Sequence, residues 1–471
     1  MSRIYLDSNI FSNLRNPKDS AHLLLKELLG KNKDNITLFF SPAHIRDKKN
    51  DTSEMKFEDF RFMESLVHDN YLSYNAINKN SSFYLATPKM VFDDEVDESL
   101  DELLNFFEPS KEGDKQILAF KKYLSSALEM SEIQVERTIL ESGGEKEMID
   151  KLFNGRDGNP TLLDITKGIT TLTKDIITDG LTYKNLRNLI DNGLGQQLDE
   201  IKRDKFGLND AFKNSFFQKT FVEFIKDSIH VKDKNRIPYY DFYILSYNVL
   251  DMLGISKDKL GKKNRYGNLL NDALHSYYAR YCDVLVTNDK SLREKSSILY
   301  HMYGVSTQIV SVEECNELLR DIGTDTDVDR NSFFSKIVYD LQHSERKLFK
   351  HLDNGSEVYR LEEISRYFNF FDVFLLEISE ETNRSILCKS DTSYLSEPNF
   401  REMGKIVDRM VRVFGPDSIG RESFDFEREV NSGSDPIHRT WVFEAVTIQL
   451  GQESLTGKFS LVLTVKTANK E

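Results

Sequence analysis

Ile4-Tyr5-Leu6-Asp7-Ser8-Asn9 is a short apolar run that ends in a carboxylate. Far along the chain, Val284-Leu285-Val286-Thr287-Asn288-Asp289 does the same. Each reads as a buried strand of a parallel sheet whose last step delivers an acid to the C-terminal edge, where open α/β sheets collect their ligands. Two carboxylates brought to one edge from distant stretches suit a hard divalent cation, Mg2+ or Mn2+. That combination points to phosphodiester chemistry.

The surrounding pattern agrees. Residues 20–30 read as a helix, with Ser20 as its cap and Gly30 as its stop. Ile36 to Ser41 is a second strand, Pro42 opens a helix in the first-turn position proline tolerates, and 57–68 continue as an amphipathic helix. Strand, helix, strand, helix implies a βαβ unit. From about Asn75 to Pro238 strand signal is weak. Helical stretches are expected near 114–141, 162–177, 184–202 and 210–228, a helical insertion spanning about 78–235. The α/β pattern returns with helices at 239–253 and Asn271–Tyr281, strands at 284–287 and Thr307–Val310, and a closing helix at 313–320. The polar stretch 323–330 reads as a linker. Beyond it, a helix near 332–351, an amphipathic helix at 399–414, and alternating runs at 423–430, 440–450 and 458–467 indicate an α+β part with an antiparallel sheet.

Composition sets bounds. At 471 residues the chain is too long for one ordinary core. Its net charge of -14 argues against a protein that coats polyanions in general. No stretch approaches a membrane span and no signal peptide is apparent, so a cytoplasmic protein is expected. Cys282, Cys315 and Cys388 have neither disulfide nor zinc spacing and read as buried reduced thiols. Local basic runs remain: Arg46, Lys48 and Lys49; Lys257, Lys259, Lys262, Lys263 and Arg265; Lys290, Arg293 and Lys295. Each stands beside a candidate acid and could grip a phosphate backbone, although a charge run is ordinarily a solvated face.

The acids carry bland alternatives. Asp7 could cap the next helix and Asp289 could be a turn residue. Asp272 reads as the start of its helix, with His275 on the same face, and could be a simple N-cap. Asp47 follows the second strand with His44 three residues earlier; Glu54 and Glu58 are its rivals.

Taken together, Leu6-Asp7-Ser8-Asn9, Ser41-Pro42 with an acid soon after, Asp272 and Val286-Thr287-Asn288-Asp289 resemble the PIN-domain nuclease family over about residues 1–90 and 236–322. The resemblance implies a Rossmann-like parallel sheet and three or four acids holding Mg2+ or Mn2+ for RNA cleavage. Asp7 matches the first family acid, Asp272 the third and Asp289 the fourth. Asp47 stands where the family usually has a glutamate. His275 would assist at the phosphate. Ser8, Asn9, His44, Thr287 and Asn288 fall among the substrate-facing polar positions, with Lys262, Lys263 and Arg265 as the backbone grip. The expectation is thus a PIN-like domain over 1–322 with its insertion, followed by an interaction or oligomerisation module over 331–471. Its function would be an endoribonuclease, such as a bacterial toxin or phage-defence effector, restrained by the insertion, the C-terminal part or a regulatory protein partner. A DNA nuclease of the same fold and a non-catalytic scaffold are the alternatives.

Overall fold

The computed structural model describes residues 2–49, 51–94, 201–215, 217–229, 236–255, 266–322, 329–379, 382–390, 399–430 and 438–466, with a few single positions between 171 and 199. It is a mixed α/β protein in two compact units. The first comprises Met1–Lys89, Tyr278–Asn288 and Gly304–Glu471; the second comprises Met90–Tyr277 and Asp289–Tyr303. The expected linker falls largely, and the helical stretches 114–141 and 162–177 almost wholly, outside the described residues.

In the first unit, β1 (Ser2–Leu6), β2 (Ile36–Phe39), β5 (Val284–Val286) and β6 (Gln308–Val310) form a parallel sheet in the order β2-β1-β5-β6. Ile4 lies opposite Leu38 on one side and Val284 on the other. Every residue of β1, β2 and β5 is buried, which explains the apolar run Ile4–Leu6 and the mainly apolar β2 and β5. Between β1 and β2 run α1 (Ser8–Arg15) and α2 (Ser20–Lys31); α3 (Pro42–Lys49) and α4 (Met55–Val67) follow β2. The cap of α2 is Asp19 rather than Ser20, since its carboxylate accepts the His22 N–H. A hairpin of β3 (Asn70–Asn75) and β4 (Asn80–Leu85) follows where little strand character was expected.

The first unit also contains a seven-stranded antiparallel sheet, ordered β11-β12-β13-β10-β9-β8-β7. Its strands are β7 (Arg346–His351), β8 (Glu357–Leu361), β9 (Val373–Ile378), β10 (Thr382–Cys388), β11 (Arg439–Val442), β12 (Val446–Glu453) and β13 (Lys458–Lys466). Helices Arg330–His343 and Phe400–Phe414 pack Phe333, Ile337, Met403, Ile406, Val407 and Met410 against Leu461, Leu463, Ile448 and Trp441. Two expectations are corrected. The helix expected over 332–351 ends at His343 and gives way to β7, and the 423–430 run is a short helix, Phe426–Val430. The Phe400–Phe414 helix ties both sheets together. The Arg3 guanidinium makes a buried pair with Glu402, Lys405 donates to the carbonyls of Lys33 and Ile36, and Arg409 reaches the Asp34 carbonyl.

In the second unit, Tyr243 of helix Tyr239–Met252 and Ser296 of helix Lys290–Tyr303 both hydrogen-bond the Ser276 hydroxyl of helix Tyr266–Ala279, and the Tyr303 hydroxyl donates to Ser246. Helices Leu208–Asn214 and Phe221–Ser228 pack through Phe212, Phe221 and Phe224. All three cysteines are buried and none is in a disulfide; burial pushes the Cys315 thiol up to about 12 and raises that of Cys282 further. No helix among the described residues is long and apolar enough to cross a membrane.

Candidate functional site

The sheet order reverses direction at β1. The chain steps from β1 to β2 on one side, while β5 and β6 extend the other. The edge beyond the C-terminal ends of β1 and β5 is therefore the place where sheets of this order bind ligands. Asp7 stands there. Its backbone N–H donates to the Val286 carbonyl at 3.0 Å, continuing the β1–β5 ladder by one residue. Its backbone is extended, and its carbonyl accepts from the N–H groups of Ile10 and Phe11 at the start of α1. The Asp7 side chain makes no capping bond to that helix. Its Oδ2 instead accepts a hydrogen bond of 2.9 Å from the hydroxyl of Thr287, itself fully buried at the end of β5. Asp7 is only 4% exposed. A carboxylate so buried is costly unless its oxygens have partners, and helix capping is not what this one does.

The residues around it hold the loop ends still. The Tyr5 hydroxyl lies 2.6 Å from Ser41 Oγ, and the Ser41 N–H donates to His44 Nδ1 at 3.1 Å. That fixes the His44 tautomer: Nδ1 accepts, and Nε2–H donates to the Leu6 carbonyl at 2.8 Å. Burial, aided by the charge of Asp7, raises the Tyr5 pKa well above its ordinary value, against the lowering hydrogen bond from Ser41, so Tyr5 stays neutral. His44 is 0% exposed. Expected at the substrate, it is instead a positioning residue that fixes the peptide next to Asp7. Ser8 is buried in the first turn of α1, whereas Asn9 is exposed. Asn288 is also exposed, and its Oδ1 accepts from the Val312 N–H at 3.2 Å.

Asp47 is exposed on α3. Of its rivals, Glu54 sits at the start of α4 without a capping bond, and Glu58 pairs with Arg15 at 2.6 Å. Sequence reading passed over their neighbour Asp59, which pairs with Arg15 and with Lys48, the latter at 2.7 Å. Only the helix face that packs α4 beside α1 and α3 distinguishes Asp59. Its two cations make it part of an ion-pair network joining three helices, and they commit Lys48 to that network.

The other expected residues belong to the second unit. Asp272 lies inside the helix Tyr266–Ala279 and is half-buried, so it neither starts nor caps that helix. His275 is buried. Asp289 is exposed, and its Oδ1 accepts the N–H groups of Ser291 and Leu292 at 2.8 and 3.0 Å, the helix-turn role that was its bland alternative. Lys290 is exposed and Arg293 half-buried, but Lys295 is 0% exposed and paired with Asp251 at 3.2 Å, which removes it from the phosphate-gripping run. Lys257, Lys259, Lys262, Lys263 and Arg265 lie outside the described residues.

Carboxylate and hydroxyl oxygens are the hard donors that Mg2+ or Mn2+ takes. At the edge of the first unit they are represented by Asp7 and Thr287. Among the described residues no group of three or more His, Cys, Asp or Glu side chains is disposed to hold a metal ion. The chain matches no protein-family model, no curated protein and no solved structure.

Proposed function

We propose that the protein hydrolyses phosphodiester bonds, RNA foremost, at the C-terminal edge of its parallel sheet. One observation carries the reading: Asp7 is a buried carboxylate at the point where the strand order reverses, held by Thr287 and not used as a helix cap. A carboxylate buried at that position, oriented by a neighbouring strand and not capping the helix that follows, has the attributes of a functional acid. Thr287 holds the carboxylate in one orientation, and His44 fixes the Leu6 carbonyl on the preceding peptide. The exposed amides of Asn9 and Asn288 flank this edge as donors for a phosphate. The positive end of α1 begins at the next residue and favours an anion there. The family resemblance adds Asp47, in the same unit, as a further ligand, with Mg2+ or Mn2+ supplying charge neutralisation and an activated water.

The test is cleavage of labelled RNA and DNA oligomers with Mn2+. Asp7→Asn is expected to lower cleavage at least about 100-fold. Thr287→Val should lower it less, and Thr287→Ser should restore it. Cleavage undiminished in Asp7→Asn would remove the proposal. The helix-capping role of Asp289 and the absence of a preassembled acid group among the described residues favour a second reading, a non-catalytic nucleic-acid-binding or protein-binding fold. Titration calorimetry with Mn2+ separates the two: binding lost in Asp7→Asn supports the enzyme, and no binding by the intact chain supports the scaffold.

A further inference from the structure

We infer that the open edge of the antiparallel sheet, formed by β7 and β8, is a docking surface for single-stranded nucleic acid; the inference rests on the polyanionic substrate proposed above. β7 is the last strand of its sheet, and all six of its residues, Arg346-Lys347-Leu348-Phe349-Lys350-His351, are exposed. The register pairs Lys347 with Arg360 and Lys350 with Val358. Residues directly opposite in an antiparallel pair share a face, and so do residues two apart on one strand. Lys347, Lys350 and Arg360 therefore project from the same face. Two cations set directly opposite each other are unfavourable in the free protein. The hairpin and its flanks hold five acids, Glu345, Asp353, Glu357, Glu362 and Glu363; of these Glu362 lies 3.8 Å from Arg360, and Glu357 lies 3.5 Å from His351. Lys347 and Lys350 have no acidic partner among the described residues.

The register shifts between Leu348 and Lys350, which leaves Phe349 out of the pairing and 57% exposed. Lysines on an edge strand commonly serve to discourage other strands from adding to it. That accounts for Lys347 and Lys350, but not for the opposed Arg360 or the exposed ring. A second copy pairing along β7 would set like charges together. Phosphates complement the three cations, and an exposed ring beside them offers a stacking platform for a base; this is the combination that binds single strands without reading sequence. In a chain of net charge -14 the two strands themselves carry four cations, Arg346, Lys347, Lys350 and Arg360, against Glu357.

The experiment is fluorescence anisotropy of the full chain with labelled oligo(U) and oligo(dT) in EDTA, across a KCl series. Cleavage is then absent, and failure of the nuclease reading, judged by Asp7→Asn, cannot be confused with failure of this one. The triple variant Lys347→Ala, Lys350→Ala, Arg360→Ala should weaken binding at least about tenfold. It should also make the plot of log affinity against log salt shallower by about 2, the value for three lost phosphate contacts on a single strand. Phe349→Ala should weaken binding about tenfold with the salt slope unchanged. Binding of either oligomer with these effects supports the proposal, and a difference between the two reports on the sugar. The proposal is overturned if the triple variant binds like the parent, if poly-glutamate displaces the oligomers as well as unlabelled oligo(U) does, or if the only effect of the variant is faster self-association.

Discussion

Thr287 and Asp7 are joined by one hydrogen bond between residues 280 positions apart, both of them buried. Thr287→Val keeps the shape and removes the donor. It should cost about 1–3 kcal/mol, read by urea denaturation, because a buried acceptor loses a partner. Asp283 makes a second residue-scale prediction. Burial opposes its ionisation, yet Lys389, the Arg3 N–H and the guanidinium groups of Arg366 and Arg3 outweigh burial and hold its pKa at about 2, against an ordinary value of 3.8. The folded pKa is depressed, so its stabilisation is complete above about pH 4 and disappears as pH falls towards 2. It amounts to about 2 kcal/mol. Asp283→Asn should remove that amount at pH 7 and flatten the acid limb of the stability curve between pH 4 and 2. A limb of unchanged slope would show that other carboxylates govern it. That Asp7 closes a buried strand was legible in the sequence because it ends an apolar run. The pairing of Glu58 and Asp59 with Arg15 was not, since it depends on how α4 faces α1, which no local pattern records.

Helix Phe400–Phe414 shows the same division at the level of elements. Its amphipathic stripe was readable, and it buries Met403, Ile406, Val407 and Met410 as expected. Its polar side was not readable as an anchor, although Glu402, Lys405 and Arg409 all reach back to β1 or the residues before and at the start of β2. Glu402→Gln would leave the Arg3 guanidinium buried without its counter-ion and should destabilise the chain by about 3–5 kcal/mol in chemical denaturation. On the same helix a Cβ at Gly404 would meet Phe424 Cδ1 at 2.9 Å. Gly404→Ala should cost about 1–3 kcal/mol, and Phe424→Leu should relieve part of that loss in thermal melts. β13 was legible because Phe459, Leu461 and Leu463 recur at every second position over a helix-covered core, although Val462 between them is buried in a second cluster. β7 was not, because its six exposed residues carry no burial pattern and continue the preceding helix in composition; only pairing with β8 makes it a strand. Helix Tyr266–Ala279 was misjudged for a related reason. It begins before Asn271, so an aspartate that looked like its first residue lies within it.

The first unit joins the parallel sheet and the seven-stranded sheet in one compact body. A chain ending at Ile322 would strip Arg3, Lys33 and Ile36 of their partners and uncover the apolar surface beneath. Such a fragment should lose its cooperative thermal transition and aggregate; a dispersed fragment melting like the full chain would show that the parallel sheet stands by itself. The position of β1 has a consequence during biosynthesis. β2 leaves the ribosome soon after β1, but β5, which covers the other edge of β1, is made only after the long stretch between them. At about 5–20 residues per second, the newborn β1–β2 pair keeps a bare apolar flank for about 12 to 50 s. The nascent chain must be shielded for that interval, and a slowed translation run ahead of Val284 would lengthen its exposure to misassembly.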